Sequence, residues 1–273
     1  MLKPYHLFKY NSIEGDDFTV IAHRGASAYY PENTLVSFEG AITLGADMVE
    51  IDVQLTSDGK VIVFHDEKIS RCTNGRGRVA DHTLAELQKL DAGRWFDNKF
   101  QGENIPMLAD VLAVCKNKIA VNIEIKTEAL TDTISGGIEE KCLQIIDSIG
   151  MRGHVVFSSF DPRAIIHLKK IDKTVPVAVL YEKGLYGSKL PSQIIEFLHA
   201  DAFNCSKREL TRQWLNDLKH HQIPVNVYTL NDDSNMIRVL ALGVSGIFTN
   251  NPDILNNVLE DFRWKQRMSN PRS

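Results

Sequence analysis

Three carboxylates, two histidines and two cations stand where strand geometry would bring them to one place. In "VEIDV", Glu50 and Asp52 lie two residues apart inside an apolar run. Alternate side chains of a strand share a face, so both carboxylates point the same way. In "VNIEIK" the same period puts Asn122, Glu124 and Lys126 on one face and Val121, Ile123 and Ile125 on the other. Carboxylates in an apolar strand are costly to bury unless something neutralises them. One reading is a buried salt-bridge network. The sharper reading is an oxygen-ligand metal site. Glu50, Asp52 and Glu124, with no cysteine or clustered histidine among them, suit a hard divalent cation, Mg2+ or Ca2+. Such a cation would balance the negative charge that one lysine leaves over.

His23 ends the run "TVIAH" and His65 ends "VIVFH". Either alone is compatible with a structural role. Together, at strand ends on the rim that carries the carboxylates, they suit general acid and general base near neutral pH. Arg24 and Lys126 add cations beside them, and arginine matches an oxyanion such as phosphate. The set describes metal-assisted cleavage of a phosphodiester. In "PENT", Asn33 is expected to cap the helix that follows.

These residues need a scaffold that gathers strand ends. Nine runs read as strands: 19–23, 48–56, 60–66, 119–126, 154–159, 175–181, 201–206, 223–230 and 245–250. Helical spacing fills most intervals, with starts such as Asp161-Pro162, Pro191 and Thr211 and a stop at Gly45. Asp58-Gly59 is a hairpin turn, so the third run extends the second. Eight runs then alternate with helices. That predicts a (β/α)8 TIM barrel, with an open doubly wound sheet as the alternative. Residues 67–106 break the rhythm and read as a small insertion after the second strand, over one barrel mouth. The expected organisation is one catalytic domain, residues 1–273.

With 273 residues and 43% hydrophobic content, the chain can bury a large core. Its net charge of -4 argues against nucleic acid as a partner. No run of about 18 apolar residues exists, which argues against stable membrane insertion. The first 18 residues lack the apolar core of a secretory leader, so a cytoplasmic location is expected. Self-association as a homo-oligomer is left open. Cysteines 72, 115, 142 and 205 form no metal or redox spacing and are expected as reduced thiols.

The ordered strings H-R-G, P-E-N-T, E-I-D-V-x-x-T-x-D-G, F-H-D and E-I-K resemble the glycerophosphodiester phosphodiesterases of bacterial cytoplasmic type, over about residues 19–258. The resemblance implies a (β/α)8 barrel with an insertion after its second strand. It implies hydrolysis of a small-molecule glycerophosphodiester to sn-glycerol 3-phosphate and an alcohol, with a bound divalent cation. By motif, Glu50, Asp52 and Glu124 would hold the metal, His23 and His65 would be the acid–base pair, and Arg24 and Lys126 would contact phosphate. Tyr228 stands where many relatives carry tryptophan and would be an aromatic wall for substrate. Met107, Ala109, Ser245 and Asn250 also depart from the family pattern, the last from aspartate. All five departures are expected to lie clear of the metal and histidine positions. Three other activities stay open: a phosphatidylinositol phospholipase C-like lyase, a lysophospholipase D-type enzyme with Trp95, Phe96 and Phe100 as an acyl lip, and a silent binding protein.

Overall fold

A computed structural model describes residues 18–269, so the N-terminal stretch read for a leader lies almost wholly outside them. In chain order the elements are β1 (Thr19–His23), α1 (Leu35–Thr43), β2 (Met48–Leu55), β3 (Val61–Val63), α2 (Leu84–Leu87), α3 (Leu108–Cys115), β4 (Ala120–Ile125), α4 (Ile138–Ile149), β5 (Val155–Ser159), α5 (Pro162–Ile171), β6 (Val177–Leu180), α6 (Pro191–Leu198), β7 (Ala202–Ser206), α7 (Arg212–His220), β8 (Val225–Tyr228), α8 (Asp233–Leu240), β9 (Gly246–Thr249) and α9 (Pro252–Ser269). The sheet order is β1-β9-β8-β7-β6-β5-β4-β2-β3, and β1 also pairs with β2. That pairing closes eight parallel strands into a TIM barrel and excludes the open sheet. Helix starts follow the sequence signals. Asp161 accepts from the Arg163 N–H at 2.9 Å, and Thr211 accepts from the Trp214 N–H at 3.2 Å.

The strand period of two sorts side chains into an outer and an inner set. Val49, Ile51, Val53, Val121, Ile123 and Ile125 join the core between barrel and helices. Phe38, Phe157 and Phe203 are fully buried there, each stabilising the fold by about 1.5–3 kcal/mol relative to an exposed ring. Inside the barrel a separate apolar cluster includes Ile21, Met48 and Phe248. Buried Asn122, Asn204 and Asn226 are interspersed with these, and the Asn226 amide donates to Asn204 Oδ1 at 2.9 Å. The charged residues come last, at the strands' C-terminal ends.

One strand behaves differently from the others. β2 runs on to Leu55, past the end of β1, where His23 pairs with Glu50. The chain reverses at Thr56–Lys60, with Gly59 in the left-handed region at φ 69°. β3 then descends antiparallel to β2, and the Phe64 N–H reaches Asp52 O at 2.8 Å. His65 therefore does not end a barrel strand, as its position in the sequence suggested. The returning arm of a hairpin lowers it onto the rim from above, because Asp58-Gly59 turns the chain back before the run "VIVFH".

Residues 67–106 contain α2 and two single 3-10 turns but no barrel strand. They build a second apolar cluster, in which Ile69, Cys72, Leu87 and Ile105 surround Ile62 of β3 and Phe64. Trp95, Phe96 and Phe100 form a chain of ring contacts that ends on Tyr30, 5.7 Å from Phe100. Tyr30 itself lies on Gly40 of α1, where a Cβ would meet the ring at 2.4 Å. The three aromatics thus pack the segment onto Tyr30 and, through it, onto α1. All four cysteines are free and buried.

Replacing residues 67–106 with a short linker is expected to leave a cooperatively folding barrel, since every barrel-closing pair lies outside the segment. Uncovered Ile62 and Phe64 should lower the thermal midpoint. Loss of the native circular-dichroism transition would instead make the segment part of the folding core.

Candidate active site

β1 stops because the next two residues leave the strand conformation. Arg24 and Gly25 both take positive φ, 58° and 81°. A Cβ at Gly25 would lie 2.4 Å from Ser37 Oγ and 2.7 Å from the Ser37 carbonyl carbon, so glycine is required on both counts. The turn aims the Arg24 N–H at Glu50 Oε2, 2.9 Å away. It also sends the guanidinium between two acids: Nη1 donates to Glu32 Oε1 at 2.9 Å, and Nε lies 3.4 Å from Asp52 Oδ2.

Asn33 has a different place from the one its spacing suggested. The residue at the α1 N-cap is Thr34, and Asn33 takes a left-handed φ of 57° one position earlier. Its buried amide donates to Asp52 Oδ2 at 2.8 Å. The side-chain oxygen, which a cap would use to accept from helix N–H groups, faces the Asp52 N–H instead at 3.4 Å.

β2 and β4 pair in register, Glu50 beside Asn122 and Asp52 beside Glu124. This brings Glu50, Asp52 and Glu124 together, with one oxygen of each within 4.8 Å of the others. Lys126 Nζ donates to Glu124 Oε1 at 2.8 Å and stands 3.5 Å from Asp52 Oδ1. Glu50 Oε1 and Asp52 Oδ1 are buried without a hydrogen-bond donor in the protein. Two orphaned carboxylate oxygens pointing at a third acid are what a hard cation needs, so these residues fit a metal ion. The titration behaviour agrees. Burial, then the charges of Asp52 and Glu124, raise Glu50 well above the carboxylate range. Burial and Asp52 push Glu124 up to about 7 against the pull of Lys126. Burial opposes charge on Asp52 too, but Lys126, Arg24, His65 and the Asn33 hydrogen bond hold its carboxyl below the usual range.

Both histidines line a cavity of about 250 Å³, together with Arg24, Glu50, Glu124 and Lys126. Each ring is held at Nδ1. His23 Nδ1 meets Asn250 Oδ1 at 2.9 Å, and His65 Nδ1 meets Asp66 Oδ1 at 2.6 Å. An amide oxygen only accepts, so the proton of neutral His23 sits on Nδ1 and leaves Nε2 as an acceptor. Burial, then the charge of Arg24, lowers His23 to about 4, so it is neutral at physiological pH. His65 has an anion at the same place, because the Arg71 hydrogen bonds and His65 hold Asp66 down at about 2 despite partial burial.

The opposite wall is apolar. Phe160, Leu180, Tyr228 and Phe248 line it. Tyr228 meets Phe160 and Phe248 edge-on at 6.0 Å and 6.1 Å, and its hydroxyl donates to Tyr181 O at 3.0 Å. The hydroxyl that distinguishes it from tryptophan is therefore tied to backbone.

The seven charged or histidine candidates and Tyr228 thus lie around one mouth, Asp52 just beneath the cavity lining. Three further residues belong with them. Gln54 shares a strand face with Glu50 and Asp52, and its Nε2 donates to Phe64 O at 2.9 Å and Asp66 O at 2.8 Å, holding the arm that carries His65. Its spacing in "EIDVQ" was the available signal. Ser158 lies beside Glu124 in register, lines the cavity, and has a buried hydroxyl without a partner. Asn250 corrects an expectation, since it contacts His23 directly and is not clear of the histidines. Ser245 is clear of them: its Oγ accepts from the Val225 N–H at 3.2 Å, away from the cavity.

The sequence profile of the "Glycerophosphoryl diester phosphodiesterase family" matches residues 23–254. The chain belongs to that family. A glycerophosphodiester phosphodiesterase of Caldanaerobacter subterraneus subsp. tengcongensis is 38% identical over 88% of this chain and 97% of its own. One of Bacillus subtilis is 34% identical over 93% of this chain and 90% of its own. Among solved structures, a phosphodiesterase of Oleispira antarctica, in complex with the product sn-glycerol-3-phosphate, superposes with a TM-score of 0.80 at 28% identity, covering 89% of this chain and 96% of that one. In this member of the glycerophosphoryl diester phosphodiesterase family, the acids and histidines come from the strings "HRG", "EID", "FHD" and "EIK". Among the described residues no helix is long and apolar enough to cross a membrane.

Burial and Arg24 keep His23 neutral against the opposing pull of the Asn250 contact, and an NMR titration of the imidazole can follow the balance. The ring should stay neutral down to about pH 4, where burial and Arg24 have moved it. Asn250→Asp puts an anion at Nδ1 and should raise that midpoint by roughly one unit or more. An unchanged midpoint would mean that residue 250 does not govern the ring.

Proposed function

We propose that this chain hydrolyses glycerophosphodiesters to sn-glycerol 3-phosphate and an alcohol, with His23 as first general base and His65 as first general acid. The observation that carries the reading is the convergence on one cavity of two histidines, each held at Nδ1, beside three carboxylates, two of which keep an unsatisfied oxygen. Glu50, Asp52 and Glu124 would hold a divalent cation, Mg2+ or Ca2+, which when bound supplies positive charge toward the phosphoryl oxygens.

The chain's own groups do the rest. Arg24 and Lys126 line the cavity and bind the phosphodiester anion, setting phosphorus between the two imidazoles. A glycerol esterified at C3 carries a hydroxyl on C2, already beside phosphorus, so its attack has an entropic advantage over attack by water. Neutral His23 Nε2 takes the C2 hydroxyl proton as the new P–O bond forms. His65 gives its proton to the departing alcohol oxygen as the old P–O bond breaks, while Asp66 faces the positive ring. A five-membered cyclic phosphate results. Water then opens it with the roles exchanged: His65 takes the water proton, and His23 returns its own to the C2 oxygen.

His23→Ala and His65→Ala are each expected to lower the rate on an alkyl diester by roughly 10²-fold or more. A substrate analogue lacking the C2 hydroxyl should bind yet hardly react. Turnover of that analogue at the parent rate would sink the cyclic route and favour direct attack by water.

Cation binding should depend on pH. In the cation-free fold, Glu50 is raised and Glu124 titrates near about 7 instead of 4.5. The folded chain thus holds protons that the unfolded chain releases, and its stability falls as pH climbs from 4.5 toward about 7. A bound cation must displace those protons. Below about pH 7, its affinity should drop by up to roughly tenfold per pH unit for each proton displaced. Thermal shift with Mg2+ or Ca2+ at about pH 6 and about pH 8 checks this, the larger gain being expected at the higher pH. Full activity in thoroughly chelated protein would remove the cation from the scheme.

A further inference from the structure

We infer that Arg71, an outward-facing residue of the segment after β3, is a positioning residue that holds His65 and Arg24 in register across the mouth of the active site. The inference rests on the reading of His65 as the group that protonates the departing alcohol.

Arg71 touches neither cavity nor cation site, yet its guanidinium joins two carboxylates that each lead to a cavity group. Nε donates to Asp66 Oδ2 at 2.6 Å, and Nη1 donates to Glu32 Oε2 at 2.9 Å. Nη2 lies between the two acids, 3.0 Å from Asp66 Oδ1 and 2.7 Å from Glu32 Oε1. Those two oxygens are the ones that continue inward. Asp66 Oδ1 is 2.6 Å from His65 Nδ1, and Glu32 Oε1 is 2.9 Å from Arg24 Nη1. An unbroken line of charge-assisted hydrogen bonds therefore runs His65–Asp66–Arg71–Glu32–Arg24, with Arg71 at its centre.

The backbone on either side of Arg71 is fixed although its side chain is about 45% exposed. Ile69 and Cys72 are buried in the segment's own apolar cluster, and the Thr73 hydroxyl donates to Ile69 O at 2.7 Å. The second core thus acquires a purpose, since it plants a guanidinium over the rim. Single pairs between exposed charges contribute little to stability. A planar fork that satisfies two carboxylates at once is instead a device for geometry. Without Arg71, Asp66 keeps only His65 and Glu32 keeps only Arg24. The side-chain link between proton donor and phosphate-binding cation is then broken, and reacting groups lose rate steeply with small misplacements.

The test compares two glycerophosphodiesters, one releasing ethanolamine and one releasing p-nitrophenol. An alkoxide needs a proton to depart, whereas nitrophenolate leaves as the anion, so only the first depends on the acid. Variants are Arg71→Ala, Arg71→Lys, Asp66→Asn, the Arg71→Ala/Asp66→Asn pair, and His65→Ala as reference. Arg71→Ala should lower kcat for the ethanolamine diester by roughly tenfold or more, and for the nitrophenyl diester by less than about threefold. KM should rise for both diesters, because Arg24 loosens, while Tm changes little. The double variant should be no more leaving-group selective than the worse single one, since the two act in series. Arg71→Lys keeps one charge but not the fork and should recover part of the loss. If Arg71→Ala does not fold, Arg71→Lys carries the same comparison. Equal loss on both diesters, or additive losses in the double variant, overturns the proposal if His65→Ala remains selective. A His65→Ala variant that slows both diesters equally overturns the assignment of the acid, and with it this proposal.

Discussion

The mouth of this barrel is organised by the cost of placing three carboxylates at one buried point. Moving an ionised carboxylate out of water costs several kcal/mol even after the protein relaxes, and Glu50, Asp52 and Glu124 also repel one another. Much of the surrounding structure reads as a response. Lys126 reaches back along β4 to Glu124 and toward Asp52. Arg24 adopts a left-handed backbone that puts its N–H on Glu50 and its side chain beside Asp52. Asn33 adopts another, to donate to Asp52. Backbone strain of order 1–3 kcal/mol at such residues persists only where the neighbourhood over-determines it. Gly25 is the counterpart of that strain, the one residue type that lets the turn press against Ser37. Two cations against three acids still leave a deficit, which protons or a divalent ion must meet. Burial first, and then that crowding of charge, raise Glu50 and Glu124.

The two histidines reach this centre by different routes and are held by different chemistry. His23 rides on a barrel strand and faces a neutral amide, whereas His65 comes down a hairpin arm and faces a carboxylate. Occupying Nδ1 in both cases turns both Nε2 atoms toward the cavity. The two rings thus differ in what faces Nδ1, an amide oxygen in one case and a carboxylate in the other, an asymmetry suited to acid–base exchange across a phosphodiester. A pair with matched partners would have to break that symmetry by some other means.

What could be read beforehand follows from which regularities carry information. Strand periodicity is strict, so the inward set of Glu50, Asp52, Asn122 and Glu124 and the outward set of their apolar neighbours were legible in sequence, as was the eightfold alternation. The hairpin at Asp58-Gly59 was legible too. Its consequence for His65 was not, because reversal of a strand changes which end of it meets the rim. Asn33 was misread because a cap signal is local, while its real partner, Asp52, lies nineteen positions on and belongs to another element. Asn250 was misplaced for the same reason: its contact spans 227 positions and exists only because β9 closes the barrel against β1. The missed Gln54 differs, since its face was determined by periodicity. Only the carbonyls that it would meet were hidden.

The division of the cavity into a charged half and an apolar half bears on how a substrate's two ends would be told apart. The charged half has little freedom, because each of its members is fixed by another's charge. The facing wall of Phe160, Leu180, Tyr228 and Phe248 has no such coupling. Its one phenol is committed to Tyr181 O, so that wall discriminates by shape and not by hydrogen bonding. Apolar shape discriminates weakly, by about 1–3 kcal/mol for a methylene, whereas a buried polar group left unpaired is rejected far more strongly. Under the proposed function, the end of a diester that lay against the wall would be loosely read, and the end that met the acids and cations strictly read. A change of wall residue, such as the tyrosine at 228, can thus alter the preferred alcohol while leaving the charged half intact. Ser158 stands at the seam between the halves, its hydroxyl without a partner beside Glu124. It is a position from which a single hydrogen bond could make the loosely read end specific.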